Sequence, residues 1–272
     1  MGIFDKFRKK KTESAPPPEA ASKNAPKSEE VSPGGSTIYR YKEQEDHGFR
    51  PPEAYAVHME EIQEHFEKIF PGRKSTVYHE TLSDLVHIDL HVLWPQKDSD
   101  FFVLYTTGMS DMPMYLPEEL DDREDLKYSE LYMFLPGDWY LGNPNKTDEK
   151  LTYDSVWPIQ ILRFLARFPH EYKTWLGWGH SIPNGPDYAP ISDTVPFGGA
   201  VLSALDPVPP LKAKDGKPIN FFFVIPAYKE EIEYKLKYGM EGLDERFGEN
   251  KLPVILDIRR PNYCADFKEV LD

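Results

Sequence analysis

The sequence predicts an α+β protein: a single domain on a mixed, largely antiparallel β-sheet packed with helices, standing behind a disordered N-terminal tail. Three observations carry this. Apolar residues at helical spacing recur in three stretches, and six segments rich in β-branched and aromatic residues fall between or after them. The 272-residue chain is 40% hydrophobic and 14% aromatic, enough for one substantial core. Residues 12 to 36 are instead dominated by Pro, Ala, Ser and Glu, with Val31 as their one bulky aliphatic residue, and cannot bury enough surface to fold alone. The expected division is therefore a tail over residues 1 to 36 and a domain over residues 37 to 272.

The N-terminal tip is expected to be disordered; were it helical, Ile3, Phe4 and Phe7 would share one side of a short helix followed by the bases Arg8 to Lys11. This pattern suits weak peripheral contact of residues 1 to 11 with anionic lipid. Lys6 stands where the myristoylation pattern needs Ser or Thr, so no lipid anchor is expected. The start lacks the apolar core of a secretory signal, and no apolar run approaches the roughly 20 residues that cross a bilayer. Cys264 is the only cysteine, which removes any internal disulfide or thiolate-rich metal site and agrees with a reducing, cytoplasmic location.

The first predicted helix follows Pro51 and Pro52, with Tyr55, Met59, Ile62, Phe66 and Ile69 at helical spacing and Pro71-Gly72 ending it. LVHIDLHVLW, residues 85 to 94, then alternates strictly. Val86, Ile88, Leu90, Val92 and Trp94 fall on one face, and His87, Asp89 and His91 on the other. FFVLYTT at 101 to 107 and ELYMFL at 130 to 135 supply two further strands, which with the first form a meander. The loop between them ends in the acidic run PEELDDRED. A second core helix carries Trp157, Ile161, Phe164, Leu165 and Phe168 and is expected to stop at Pro169. Gly, Pro, Asn and Asp mark 177 to 199 as a long loop, ahead of the buried strands AVLSAL and INFFFVIPAY. Residues 229 to 247 form a third helix with Ile232, Leu236, Gly239, Leu243 and Phe247 on one face. LPVILDI at 252 to 258 is expected to close the domain as a short strand.

Residues 1 to 35 carry seven bases and five acids, leaving 25 bases against 41 acids for the remainder. Such a surface repels phosphate backbones and attracts basic proteins, so nucleic acid is not an expected partner and a basic protein is. The plainer account is that the acidity maintains solubility.

His87, Asp89 and His91 are good metal-ligand types on one side of a strand. Successive same-face positions stand about 6.5 to 7 Å apart, so convergence needs a further ligand such as His79 or His180. Hydrogen bonding of the histidines to Asp89 and neighbouring tyrosines within a polar sheet face is the favoured account of the three residues, and no bound metal or other cofactor is expected. TTGMSDMP places Gly108 and Ser110 after a strand, but Met112 stands where a nucleophile turn needs its second glycine, and a triad with His170 or His180 is unsupported. P-loop, dinucleotide and zinc-protease motifs are absent. An enzyme is therefore not expected; the alternative is a metal-dependent or hydrolytic enzyme using His87, Asp89, His91 or His180.

Trp175, Trp178 and His180, spaced by Gly177 and Gly179, set large amphipathic rings on bendable backbone. They are the expected partner surface, together with Asn184 in the 181 to 190 loop, and Glu118, Glu119, Asp121 and Asp122 add long-range attraction. The competing account makes both tryptophans plugs at the end of the core.

Five motifs in order resemble the suppressor-of-fused family: VHIDLHV (86 to 92), TTGMSDMPM (106 to 114), ELYMFLPGDW (130 to 139), WPIQILRFLARFPHEYKTWLGWGHSIPNG (157 to 185) and FFFVIPAYKEEIEYKL (221 to 236). GWGH with the preceding FPHEYKTWL is the most specific. The resemblance implies a mixed α/β fold used for protein binding, with no established catalytic residues. In animal relatives the domain holds a zinc-finger transcription factor of a hedgehog pathway and pairs with a further C-terminal domain. Bacterial relatives look like single-domain proteins of this length, some proposed to be immunity proteins neutralising secreted toxins, and this chain is read as one of that type. It departs from the family where Asp-Pro-x-Arg-Pro is common and Asp257, Ile258, Arg259, Arg260 and Pro261 stand instead.

Overall fold

The computed structural model describes residues 30 to 41, 48 to 141, 152 to 205 and 207 to 267. These form helices α1 (Met59–Ile69), α2 (Tyr153–Tyr172) and α3 (Lys229–Glu249). The strands are β1 (Ser75–Tyr78), β2 (Asp89–Leu93), β3 (Phe101–Thr107), β4 (Ser129–Pro136), β5 (Ser181–Pro183), β6 (Gly199–Ser203), β7 (Leu211–Lys212) and β8 (Pro218–Ala227). One mixed sheet runs β1-β2-β3-β4-β8-β6-β5, with β7 paired to β8 off this path. Every pairing is antiparallel except β4 with β8, so the expected α+β class and the β2-β3-β4 meander are both present.

Alternation along the strands feeds two cores, one on each face. Leu90, Val92, Leu104, Leu131 and Met133 pack with Trp157, Ile161 and Leu165 of α2. Val103, Tyr105, Tyr132 and Phe134 pack with Ile62 and Phe66 of α1 and Ile232 and Leu243 of α3. Phe66 stacks on Tyr105 with ring centroids 3.9 Å apart. Helices on both sides leave no strand of the meander's centre facing water, which is why β2 is buried at every position.

Several elements differ from expectation. α1 begins at Met59 instead of near Pro51, because Ala56 takes a left-handed backbone (φ 49) that a helix cannot continue through. α2 runs past Pro169 to Tyr172; the missing N–H costs one bond, and Lys173, itself left-handed, ends the helix. The 177 to 199 loop contains β5. LPVILDI is not a strand: β8 pairs β4 only from Ser129 to Tyr132, and a lone parallel bridge of Ile255 to Phe134 occupies the edge beyond. There the Leu256 N–H donates to the Phe134 carbonyl at 2.9 Å.

The tail expected over residues 1 to 36 lies, for residues 1 to 29 and so for the amphipathic tip, outside the described residues. Residues 31 to 37 form a tight hairpin with a Val31–Thr37 bridge, and the Gly34 N–H donates to the Leu236 carbonyl at 2.8 Å. Gly34 approaches α3 where Gly239 (φ 79) kinks it, and a Cβ on Gly34 would meet the Gly239 nitrogen. No helix among the described residues is long and apolar enough to cross a membrane.

Candidate functional site: a tryptophan loop and an acidic turn

After α2 ends, residues 174 to 176 lie alongside residues 114 and 115. The Tyr115 N–H donates to the Thr174 carbonyl at 3.0 Å, and the Leu176 N–H to the Met114 sulfur at 3.4 Å. Leu176 is buried there. Gly179 (φ 76) then turns the chain onto β6, its N–H donating to the Leu202 carbonyl at 2.8 Å, while its α-carbon faces Met240 of α3. Clamped on both sides, the backbone throws Trp178 outward with 45% of its surface exposed.

The two tryptophans therefore part company. Trp175 is half-buried, and its ring meets His180 edge-on with centroids 4.4 Å apart. Burial pushes the His180 pKa down to about 4, helped by the charge of Lys235, so its imidazole is neutral at physiological pH. Asn184 is buried and ties the following loop, its amide donating to the carbonyls of Ala189 (2.9 Å) and Pro190 (3.1 Å). It shapes the loop from inside.

The chain that pairs with residues 174 to 176 leads directly into the acidic run. Two short 3-10 turns, Glu118–Leu120 and Glu124–Leu126, present Glu118, Glu119, Asp121 and Asp122 to solvent. Arg123 is engaged by Asp125 (2.7 Å) and Lys127 by Glu124 (2.6 Å). The other four acids have no ion-pair partner among the described residues.

The His-Asp-His strand does not act as one unit. His91 faces α1: it accepts from the Gln63 amide (3.2 Å), meets Thr107 Oγ1 at 2.9 Å and stacks on Tyr105. Burial lowers its pKa to about 4. His87 and Asp89 instead join His79, with His87 Nε2 and His79 Nδ1 3.0 and 2.9 Å from the two Asp89 oxygens. Burial alone would raise the Asp89 pKa; the bonds from His79 and the Glu80 N–H, and the His87 charge, outweigh it and hold the pKa below the usual range.

Nor is a serine nucleophile assembled. Ser110 is buried and donates its hydroxyl to Glu130 at 2.6 Å, while His170 is spent on the Met109 carbonyl at 2.9 Å. Two buried charged groups had no sequence signal as such. Glu130 opens a strand and reads as its solvent end, yet it is fully buried, accepting from Thr106 Oγ1 (2.6 Å) and the N–H groups of Gly108 (3.0 Å) and Ser110 (2.9 Å). Glu231 looks like any acid on the charged face of α3, but pairs with Arg260 in the interior.

The sheet is thus covered on both faces, and the exposed aromatic loop and the acidic turn are joined through the pairing of residues 174 to 176 with 114 and 115. The suppressor of fused protein (SUFU) profile matches residues 84 to 261, and the chain belongs to that family. The fold is similar to that of a SUFU homolog from Neisseria gonorrhoeae FA 1090, with a TM-score of 0.54 at 16% identity over 75% of this chain and 95% of that one. It is also similar to a chain of the Sufu-Fu complex, with a TM-score of 0.53 at 14% identity over 77% and 93% of the two chains. At these identities the likeness establishes the fold. No curated protein matches the sequence.

Proposed function

We propose that this chain is a cytoplasmic protein-binding module that grips a basic protein through Trp178, with the acidic turn steering the approach, and that it serves as an immunity protein against a secreted toxin. The observation that carries the reading is the exposure of Trp178 beside buried Leu176 and half-buried Trp175. A large ring held out on a clamped backbone loses little entropy on binding and offers an anchor of the kind that dominates interfaces. Family membership supports a binding role, and the lone, buried Cys264 suits a reducing compartment.

The test uses the protein encoded by the adjacent gene, as toxin and immunity genes commonly sit together. Complex formation on size exclusion, toxin inactivation in the same mixture, and loss of both in a Trp178→Ala variant that melts like the parent are the expected results. Undiminished complex formation by that variant would remove the loop from the interface, and a complex that leaves the toxin active would remove the immunity role.

A further inference from the structure

We propose that His79, His87 and Asp89 form a binding site for a divalent transition-metal ion of the zinc type, at the end of the sheet where β1 leaves β2. β1 and β2 are antiparallel with Tyr78 opposite Leu90, so the next step of the chain brings His79 across from Asp89. His87 lies two residues before Asp89 and shares its side. One nitrogen of each histidine and an Asp89 oxygen all lie within 4.8 Å of one another. Metal bonds of about 2.0 to 2.2 Å in tetrahedral geometry put ligand atoms roughly 3.4 Å apart, so small side-chain rotations suffice.

The surroundings favour an ion over a simple hydrogen-bonded triad. Asp89 is buried and bonds the two imidazoles and the Glu80 N–H at 3.1 Å; Arg163 feels its charge but spends its guanidinium on the Tyr78 carbonyl, so no Lys or Arg is bonded to Asp89 among the described residues. His87 is held from behind by Ser83 Oγ, 2.6 Å from Nδ1, which aims Nε2 at the site. Such outer bonds to a ligating histidine and carboxylate are what metal sites use to fix ligand orientation. Close by, Asp111 feels the charge of His87, and its Oδ2 is buried without a hydrogen-bond partner, adding negative potential that a cation relieves. The His79 side chain is 67% exposed, which leaves one side of the site open to water as a further ligand. An ion here would clasp the irregular stretch between β1 and β2 onto the sheet.

The experiment is zinc titration by calorimetry of the full, untagged chain after chelator dialysis, repeated with cobalt(II) to read tetrahedral visible absorption. One zinc per chain is expected, with a raised melting temperature, and His79→Ala should weaken binding at least tenfold while the apo-protein melts like the parent. Asp89→Asn should also abolish binding, and His91→Ala should retain it, as α1 covers His91 and its ring nitrogens are engaged by Gln63 and Thr107. If the parent binds no zinc, or His79→Ala binds it as well as the parent does, the proposal fails and the three residues are a hydrogen-bonded triad. Loss of binding in His91→Ala with retention in His79→Ala would place the ion elsewhere and overturn it equally.

Discussion

Arg260 and Glu231 meet inside the protein as a bidentate pair, Nη1 to Oε1 and Nη2 to Oε2, both at 2.6 Å. Arg260 is 4% exposed and Glu231 not at all. The pair is fully satisfied: Glu231 also accepts from the Tyr228 N–H and so caps α3, and Arg260 donates to the Pro226 carbonyl with its guanidinium over Phe197 and Tyr228. With the bonds of Asn262 to Glu230 and Arg246 to Asp266, it holds the C-terminal segment to α3 and β8. Ile258, the one departure from the family pattern just upstream, leaves this arginine in place.

Removing one member strands a buried charge, so Arg260→Ala and Glu231→Gln should each cost about 3 to 5 kcal/mol of unfolding free energy. Urea denaturation measures this. The double replacement should cost less than the sum, and single losses below about 1 kcal/mol would show the pair to be dispensable.

Glu130 should make stability depend on pH. Burial pushes its pKa up to about 7, against the pull of bonds from Ser110 and Thr106. With the folded pKa above the unfolded one, the folded state holds the proton more tightly, and stability attributable to Glu130 falls as pH rises from about 4.5 to 7. Glu130→Gln cannot titrate. Measured from pH 4.5 to 8, the parent should lose stability relative to the variant, by up to about 1.4 kcal/mol per pH unit within that window, and a constant difference would refute the assignment.

Gly108 sits at φ 103, and a Cβ there would collide with the His87 carbonyl oxygen. Its N–H is also one of the donors to Glu130. Gly108→Ala combines backbone strain with a collision against rigid backbone and should cost about 3 kcal/mol or more, read by thermal or urea unfolding. A loss under 1 kcal/mol would mean that the turn relaxes freely.

At the proposed interface, anchor and steering charges should separate kinetically. Trp178→Ala should speed dissociation at any salt, at a cost of about 2 kcal/mol or more in affinity. Neutralising Glu118, Glu119, Asp121 and Asp122 should slow association chiefly at low ionic strength. Melting temperatures recorded alongside check the alternative, since a core plug would drop the melting temperature by several degrees on replacement, as Trp175→Ala is expected to do.

The layers were legible in the sequence wherever periodicity was strong. β3 matches FFVLYTT residue for residue, and the apolar stripe from Trp157 to Phe168 places α2. What escaped depends on partners distant in the chain. Strict alternation put His87, Asp89 and His91 on one side, but α1 covers only His91, and no local pattern announces a helix laid over one end of a strand. LPVILDI has strand composition, yet the register of β4 with β8 leaves it room for a single bridge. β1 and β7 are too short and too exposed to carry a pattern. In the candidate site, the glycine spacing marked where the backbone bends at Gly179, whereas which tryptophan points outward follows from clamps at Met114 and Leu202.

The lone parallel seam makes the molecule divisible. One antiparallel unit, β1 to β4, is contiguous from Ser75 to Pro136; the other, β5 to β8, is contiguous from Ser181 to Ala227. Their strands pair with each other where Ser129 to Tyr132 lie beside Asn220 to Phe223, and α2, which begins after Leu141, lies over the first unit from the second side of the break. A cut between Leu141 and Thr152 would therefore sever no strand pair inside either unit and leave each fragment with a large apolar face shaped for the other. Two chains made from this one should reassemble into the native sheet when co-expressed, turning the protein into an obligate heterodimer whose association can be switched.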